Sequence, residues 1–123
     1  AAYNSTLGEL MARDPRILLF GLDIEDAKGG VFGLTKGLST RFPGRVFNAP
    51  LAEATIVGVG AGLALAGHRP VVELQFIDFV GPGFTQITSQ AATVRWRSVG
   101  GWTCPLTIVA PSGAYLPSGG PWH

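Results

Sequence analysis

The residue best placed to do chemistry is Glu53, which lies where a helix rich in glycine and alanine is predicted to begin. A carboxylate in a first helical turn is stabilised by the helix dipole and by backbone amides that lack intrahelical partners. Glu53 could therefore be no more than a charge or cap at the helix start, and spacing alone favours that interpretation. A carboxyl group held there could also exchange a proton with a bound ligand.

A second candidate pair, Gln75 and Phe79, lies four residues apart at and just beyond the end of a predicted strand, residues 71–75. Ligands of open α/β sheets bind outside the carboxyl ends of the strands. Both side chains could therefore contact a ligand. Phe79 could equally be an ordinary core aromatic residue, and Phe76 is more typical of a core position.

The run Gly58-Val59-Gly60-Ala61-Gly62 superficially resembles a dinucleotide-binding fingerprint. That motif requires a strand that ends at the first glycine, whereas these glycines fall inside a predicted helix. A nucleotide-binding Rossmann domain is therefore not favoured. We expect the small residues Gly58, Gly62 and Ala66 to form a smooth face for close helix packing, because each interior glycine costs up to about 1 kcal/mol relative to alanine.

The elements that must position these residues follow from the alternation of apolar strand-length runs with helical segments. Lys28, Gly29 and Gly30 predict a flexible loop after the first strand. Strand–helix alternation predicts an α/β fold with a doubly wound, mostly parallel sheet, in a single domain over residues 1–123 that is incomplete at its C-terminus. The predicted helices are 3–13, 35–42, 52–66 and 84–99, and the predicted strands are 17–20, 45–48, 71–75 and 106–109.

Composition narrows the class of partners. Apolar residues make up 46% of the 123 residues and charged residues only 14%, well below the usual quarter. So little charge predicts a surface that is buried against partners and a homo-oligomer. A formal charge of +1 argues against nucleic acid, and no apolar run is long enough for a membrane span. The single Cys104 and the lack of a signal-peptide pattern favour the cytoplasm, or the mitochondrial matrix in a eukaryote.

Three segments carry a resemblance to a known family. They are RVFNAPLAE at residues 45–53, RPVVELQFIDF at residues 69–79 and GGPWH at residues 119–123. Together they resemble the beta subunits of the pyruvate and branched-chain 2-oxo acid dehydrogenases, in order and with almost no gaps. The resemblance implies a truncated form of the transketolase-like, pyrimidine-binding domain of a thiamine-diphosphate-dependent enzyme that oxidatively decarboxylates a 2-oxo acid.

The resemblance also implies roles for individual residues. Glu53 would hydrogen-bond ring nitrogen N1′ of the aminopyrimidine and promote its imino tautomer. Phe79 would stack on that ring and Gln75 would line it. His123 aligns with the family's active-site histidine near the substrate, and the backbone carbonyl of Leu106 aligns with a ligand of a structural potassium ion.

The family shares its cofactor between two domains, and the Gly-Asp-Gly motif that holds diphosphate and magnesium has no counterpart here. The implied partner is therefore an alpha subunit or diphosphate-binding domain, and the chain alone is predicted to be inactive. Leu22, Thr85 and Val109 stand where the family usually has charged residues. They support an alternative, a catalytically inactive engineered or isolated α/β domain that only folds and self-associates.

Overall fold

A computed structural model describes residues 2–113. Its centre is a four-stranded, all-parallel sheet with the order β2-β1-β3-β4, which confirms the predicted fold class. The strands are β1 (Ile17–Gly21), β2 (Val46–Asn48), β3 (Arg69–Glu73) and β4 (Thr107–Val109). Leu19 of β1 pairs with Val46 on one side and with Val71 on the other, and Val71 pairs with Thr107.

Helices cover both faces of this sheet. A 3₁₀ turn (Ile77–Phe79) precedes α4, and a π-helical turn (Gln86–Ala91) separates α4 from α5. No helix of the described residues is long and apolar enough to cross a membrane. The helices are α1 (Ala2–Arg13), α2 (Leu38–Arg41), α3 (Glu53–Leu65), α4 (Val80–Thr85) and α5 (Val94–Arg97).

One face of the sheet, here called the α1 face, is covered by α1, α2 and the loop of residues 22–37. Leu7 and Met11 project from α1 onto Leu19 of β1, with Ile24 and Leu38 completing the cluster. Alternation along a strand places every second side chain on the same face. The half-buried Val71 of β3 packs against this cluster. Glu73, two residues later on the same strand, therefore also points to the α1 face.

The opposite face, called the α3 face, is closed by α3. Ile56 and Val57 of α3 pack with Val72 and Leu74, which lie at the end of β3 and just after it. Gly60 is the point of closest approach: a methyl group there would lie 2.6 Å from Val72 Cγ1. The helix sits this close to the sheet because position 60 has no side chain.

The single helix predicted over residues 84–99 is wrong. The structure has α4, a π-helical turn and α5 in its place. Hydroxyl groups contact the backbone of this stretch: Thr88 Oγ1 donates to the Phe84 carbonyl (3.1 Å) and Thr93 Oγ1 to that of Ser89 (2.8 Å). Side chains that bond back to the preceding turn bend and weaken a helix, which is consistent with the break.

The 22–37 loop also departs from its prediction. Gly29 and Gly30, expected in a flexible loop, are buried, and their amides donate to the carbonyls of Glu25 and Asp23 at 2.9 Å. Further along the chain, only Leu38–Arg41 of the short helix predicted over residues 35–42 is helical. The 22–37 loop is therefore a hydrogen-bonded part of the α1 face.

Candidate functional site

Three of the predicted site residues lie at one edge of the sheet. Glu53 begins α3, which follows the end of β2, while Gln75 and Phe79 follow the end of β3. Strand β3 runs from Arg69 to Glu73, two residues earlier than predicted, so Gln75 lies beyond the strand. Because the strands are parallel, these segments meet at the carboxyl edge, where open α/β sheets bind ligands.

Glu53 is the first residue of α3 and is half-buried. The capping position belongs to Ala52, in an extended conformation and without a side-chain cap, so Glu53 is not the N-cap residue. No residue in the described part of the chain forms a hydrogen bond or ion pair with its carboxylate. Helix α4 approaches this turn closely, since a methyl group on Gly83 would lie 3.2 Å from the Glu53 carbonyl oxygen.

Phe79 closes the 3₁₀ turn and is 41% exposed, so it is not a buried core aromatic residue. Its ring meets that of Phe76 edge-on, with centroids 6.2 Å apart, and Phe76 meets Phe32 of the 22–37 loop in the same way at 5.7 Å. These three rings, called the aromatic row, join the loop on the α1 face to the turn that carries Phe79. Phe76 is only half-buried.

Gln75 lines a cavity of about 380 Å³ that is otherwise built by the 22–37 loop. Asp23, Lys28, Gly30 and Lys36 contribute to its wall, and Lys28 forms an ion pair with Asp23. The lining includes neither of the other two predicted site residues. The structure thus brings Gln75 to the loop on the α1 face and Glu53 to α4 on the α3 face.

Glu73, the last residue of β3, is not among the residues predicted to form the site. It is only 5% exposed, and its Oε2 atom has no hydrogen-bond partner among the described residues. Burial raises the pKa of this carboxyl group to about 7. The available signal was an acidic residue inside the apolar run Val71–Leu74, because the strands of a doubly wound parallel sheet are covered on both faces.

The remaining predictions concern Leu106 and His123. Leu106 is half-buried, precedes β4 and packs its side chain over Gly60. A potassium ion at its carbonyl oxygen stays a prediction. Residues 2–113 contain no group of three His, Cys, Asp or Glu side chains arranged to hold a metal ion. His123 lies outside the described residues.

Comparisons with known proteins agree with this architecture. The sequence model of a protein family, described as the transketolase pyrimidine-binding domain, matches residues 1–121. A solved structure described as a split-gene transketolase in an inactive beta4 tetramer superposes with a TM-score of 0.70 at 27% identity, covering 89% of this chain and 32% of that one. This chain therefore belongs to the family of transketolase pyrimidine-binding domains.

Within that class, its relatives are of the kind that the sequence motifs predicted. It is 47% identical over 91% of its length to 2-oxoisovalerate dehydrogenase subunit beta of Bacillus subtilis. It is 46% identical over 94% of its length to the pyruvate dehydrogenase E1 component subunit beta of Leifsonia xyli. The resemblance to these beta subunits is confirmed. The chain spans about a third of the length of these relatives, 34% in both cases.

Proposed function

We propose that this chain binds the aminopyrimidine ring of thiamine diphosphate as part of a 2-oxo acid dehydrogenase. One observation carries the proposal: at the carboxyl edge of the sheet, Glu53 has no partner among the described residues, and the exposed ring of Phe79 precedes α4, the helix that approaches the first turn of α3. A carboxylate can share a proton with a basic ring nitrogen, and an aromatic side chain can stack on a flat heteroaromatic ring. The names of the two relatives support a 2-oxo acid as the substrate class.

In this proposal each side chain has a separate task. Glu53 shares a proton with a ring nitrogen, Phe79 offers an apolar face for stacking, and the amide of Gln75 orients the ring from the α1 face. His123 acts near the substrate, and the Leu106 carbonyl oxygen helps to hold a potassium ion. The chemistry supplied by bound thiamine diphosphate is cleavage of the bond between the oxo carbon and the carboxylate.

The diphosphate group and magnesium are assigned to a partner, either an alpha subunit or a diphosphate-binding domain. The support is the family resemblance and the names of the relatives, which are beta subunits that span three times this length. The cofactor would then bind between two domains. The affinity of this chain for thiamine diphosphate without its partner should be low, because a single domain supplies only part of the contacts.

A substitution in the full-length subunit, assembled with its partner, tests the role of Glu53. Glu53→Gln keeps the size of the side chain but cannot exchange a proton, so we expect turnover of the 2-oxo acid to fall by about 10²-fold or more. Glu9→Gln, on the exposed side of α1, is the matched control and should keep full activity. Thermal melts would verify that both variants fold. A Glu53→Gln enzyme with more than a tenth of the original rate would contradict the assignment.

Calorimetry separates this proposal from the alternative of an inactive domain that only folds and self-associates. The alternative is favoured by large apolar side chains that stand exposed in α5 and just after it, namely Trp96, Val99 and Trp102, of which Trp96 is 83% exposed. We expect thiamine diphosphate to bind with magnesium and the partner present, and Phe79→Leu to weaken that binding. If the assembled protein binds no thiamine diphosphate, the alternative is correct.

A further inference from the structure

The buried carboxyl group of Glu73 lies beneath the 22–37 loop. A methyl group on Gly30 would be 2.8 Å from Glu73 Oε1, and Thr35 Oγ1 lies near the same point at 3.6 Å. The Thr35 hydroxyl donates to the Ile24 carbonyl at 2.7 Å and is already used. The loop therefore rests directly on the Glu73 side chain.

Titratable groups near Glu73 lie on α1 and on the 22–37 loop. Tyr3 of α1 interacts electrostatically with Glu73, but burial, with a smaller effect of Glu73, raises the pKa of Tyr3 to about 12, so that it stays neutral. On the loop, Asp23, Lys28 and Lys36 line the cavity instead. In the part of the chain that the structure describes, no cation forms an ion pair with Glu73. A buried carboxylate without a partner is costly, and the neutral acid is much less so.

The loop connects this group to the candidate ring site in two ways. Gly30, which contacts Glu73, shares its cavity with Gln75. Two residues after Gly30, Phe32 begins the aromatic row that ends at Phe79. A displacement of the loop would therefore alter both a wall beside Gln75 and the support of the Phe79 ring.

We infer that Glu73 is a positioning residue: while protonated it supports the 22–37 loop and the aromatic row, and its ionisation releases the loop. The effect on the ring site rests on the proposed function, whereas the effect on the loop does not. Glu73 acts through its neighbours and touches no ligand in this scheme. Ring binding would consequently weaken as the pH rises.

The direction of the pH effect follows from linkage. In the closed state the pKa of Glu73 is about 7, raised from 4.5 by burial; with the loop open it returns to its ordinary value. Between pH 4.5 and 7 the open state is ionised while the closed state keeps its proton. Each pH unit in this window therefore multiplies the opening constant by about ten. The support is complete below pH 4.5 and is lost as the pH passes 7.

Amide hydrogen exchange of the chain between pH 4.5 and 8 tests this inference. The Gly29, Gly30 and Thr35 amides, which donate to carbonyls within the loop, report its opening after correction for the chemical exchange rate. We expect their opening constant to rise by about 10²-fold from pH 4.5 to 7 and then to level off. Leu19, whose amide donates to the Arg45 carbonyl, is the reference for global unfolding and should exchange more slowly than the loop amides at every pH.

Three variants complete the test. Glu73→Gln should make loop protection independent of pH. Gly30→Ala should open the loop at every pH, because its methyl group would meet Glu73. Gly33→Ala is the matched control, since Gly33 has a similar positive φ of 64° but no atom of the described residues within 4 Å of the added methyl group. The same pH slope in wild type and Glu73→Gln, or equal opening in the two alanine variants, overturns the inference.

Carbon-13 NMR of wild-type chain keeps the test valid should Glu73→Gln fail to fold. The Glu73 carboxyl signal should titrate near pH 7 together with the loop amides and the ring signals of Phe79. A carboxyl midpoint near 4.5, or Phe79 signals that do not move, refutes the inference. None of these measurements uses thiamine diphosphate, so a chain that passes them and yet binds no cofactor contradicts only the proposed function.

Discussion

Val72 and Glu73 are neighbours on β3, point to opposite faces of the sheet, and each lies under a glycine. On the α3 face, Gly60 brings the helix onto Val72, where a methyl group would be 2.6 Å from Cγ1. On the α1 face, Gly30 brings the loop onto Glu73, where a methyl group would be 2.8 Å from Oε1. The two contacts are almost equally close.

Their chemistry differs. Around Gly60 the neighbours are the apolar side chains of Val72 and Leu106, and dispersion and burial hold such a contact equally well at any pH. Around Gly30 the neighbour is an ionisable group without a partner among the described residues. The close contact on the α3 face is therefore independent of pH, whereas the close contact on the α1 face depends on the protonation of Glu73.

The largest expected effect is on the α1 face. We expect the free energy of unfolding to fall by about 3 kcal/mol between pH 4.5 and 7, from a pKa raised by two to three units at about 1.4 kcal/mol each. If opening the loop costs less free energy than this, the decrease in the free energy of unfolding is limited to the cost of loop opening. Urea denaturation at half-unit pH steps measures it, and Glu73→Gln should remove the slope.

Acidic groups elsewhere do not confuse that measurement. A hydrogen bond from Arg16 lowers the pKa of Asp14 to about 2. The stability contributed by Asp14 is thus present above its ordinary value of 3.8 and is lost only as the pH falls towards 2. An equal fall between pH 4.5 and 7 in wild type and Glu73→Gln would show that the contact on the α1 face does not depend on the protonation of Glu73.

The next effect belongs to the α3 face. Gly60→Ala should destabilise the fold by about 1–3 kcal/mol, because the methyl group must displace Val72 and Leu106. The loss should be the same at pH 4.5 and at pH 7, as measured by denaturation. Gly62→Ala in the same helix places its added methyl group more than 4 Å from every other atom that residues 2–113 bring near it, and it serves as the control. A Gly60→Ala loss that changes with pH would remove the contrast between the faces.

The smallest effect on stability concerns Gly62 itself. Gly62→Ala and Gly62→Leu should each stabilise α3 by up to about 1 kcal/mol through helix propensity. The proposed homo-oligomer would use this exposed stretch, so Gly62→Leu should weaken association while the fold gains stability. Sedimentation of wild type and variant at several concentrations measures this. A wild-type chain that stays monomeric up to about 100 µM, where an interface of roughly 8 kcal/mol would be mostly assembled, contradicts the proposal.

Much of the fold could be predicted because its signals are local. Apolar runs located all four strands to within two residues, and the helix predicted over residues 52–66 corresponds to α3. The region after β3 could not be predicted in the same way. Pro82 falls in the first turn of α4, where proline is tolerated, so the helix begins before it, and the polar groups of Thr88 and Thr93 then break the pattern.

The candidate site also has a part that local sequence signals predict and a part that depends on long-range contacts. The position of Glu53 at a helix start and that of Gln75 and Phe79 beyond β3 follow from strand and helix order alone. The environment of Glu73 depends on how residues 22–37 fold back over the sheet, which involves contacts between residues some 40 positions apart. The helix face predicted to pack closely was Gly58, Gly62 and Ala66, and this prediction is wrong at Gly62. Gly60 makes the close contact, whereas Gly62 stands open.

The outer strands carry a consequence for how this protein behaves at high concentration. β2 and β4 have three residues each, against five in β1 and β3. Within residues 2–113, no further strand pairs with either of them. An incoming chain could form only a few backbone hydrogen bonds with so short an edge, too few to template fibril growth. We therefore expect edge-to-edge association through β2 or β4 to be weak even in concentrated solutions.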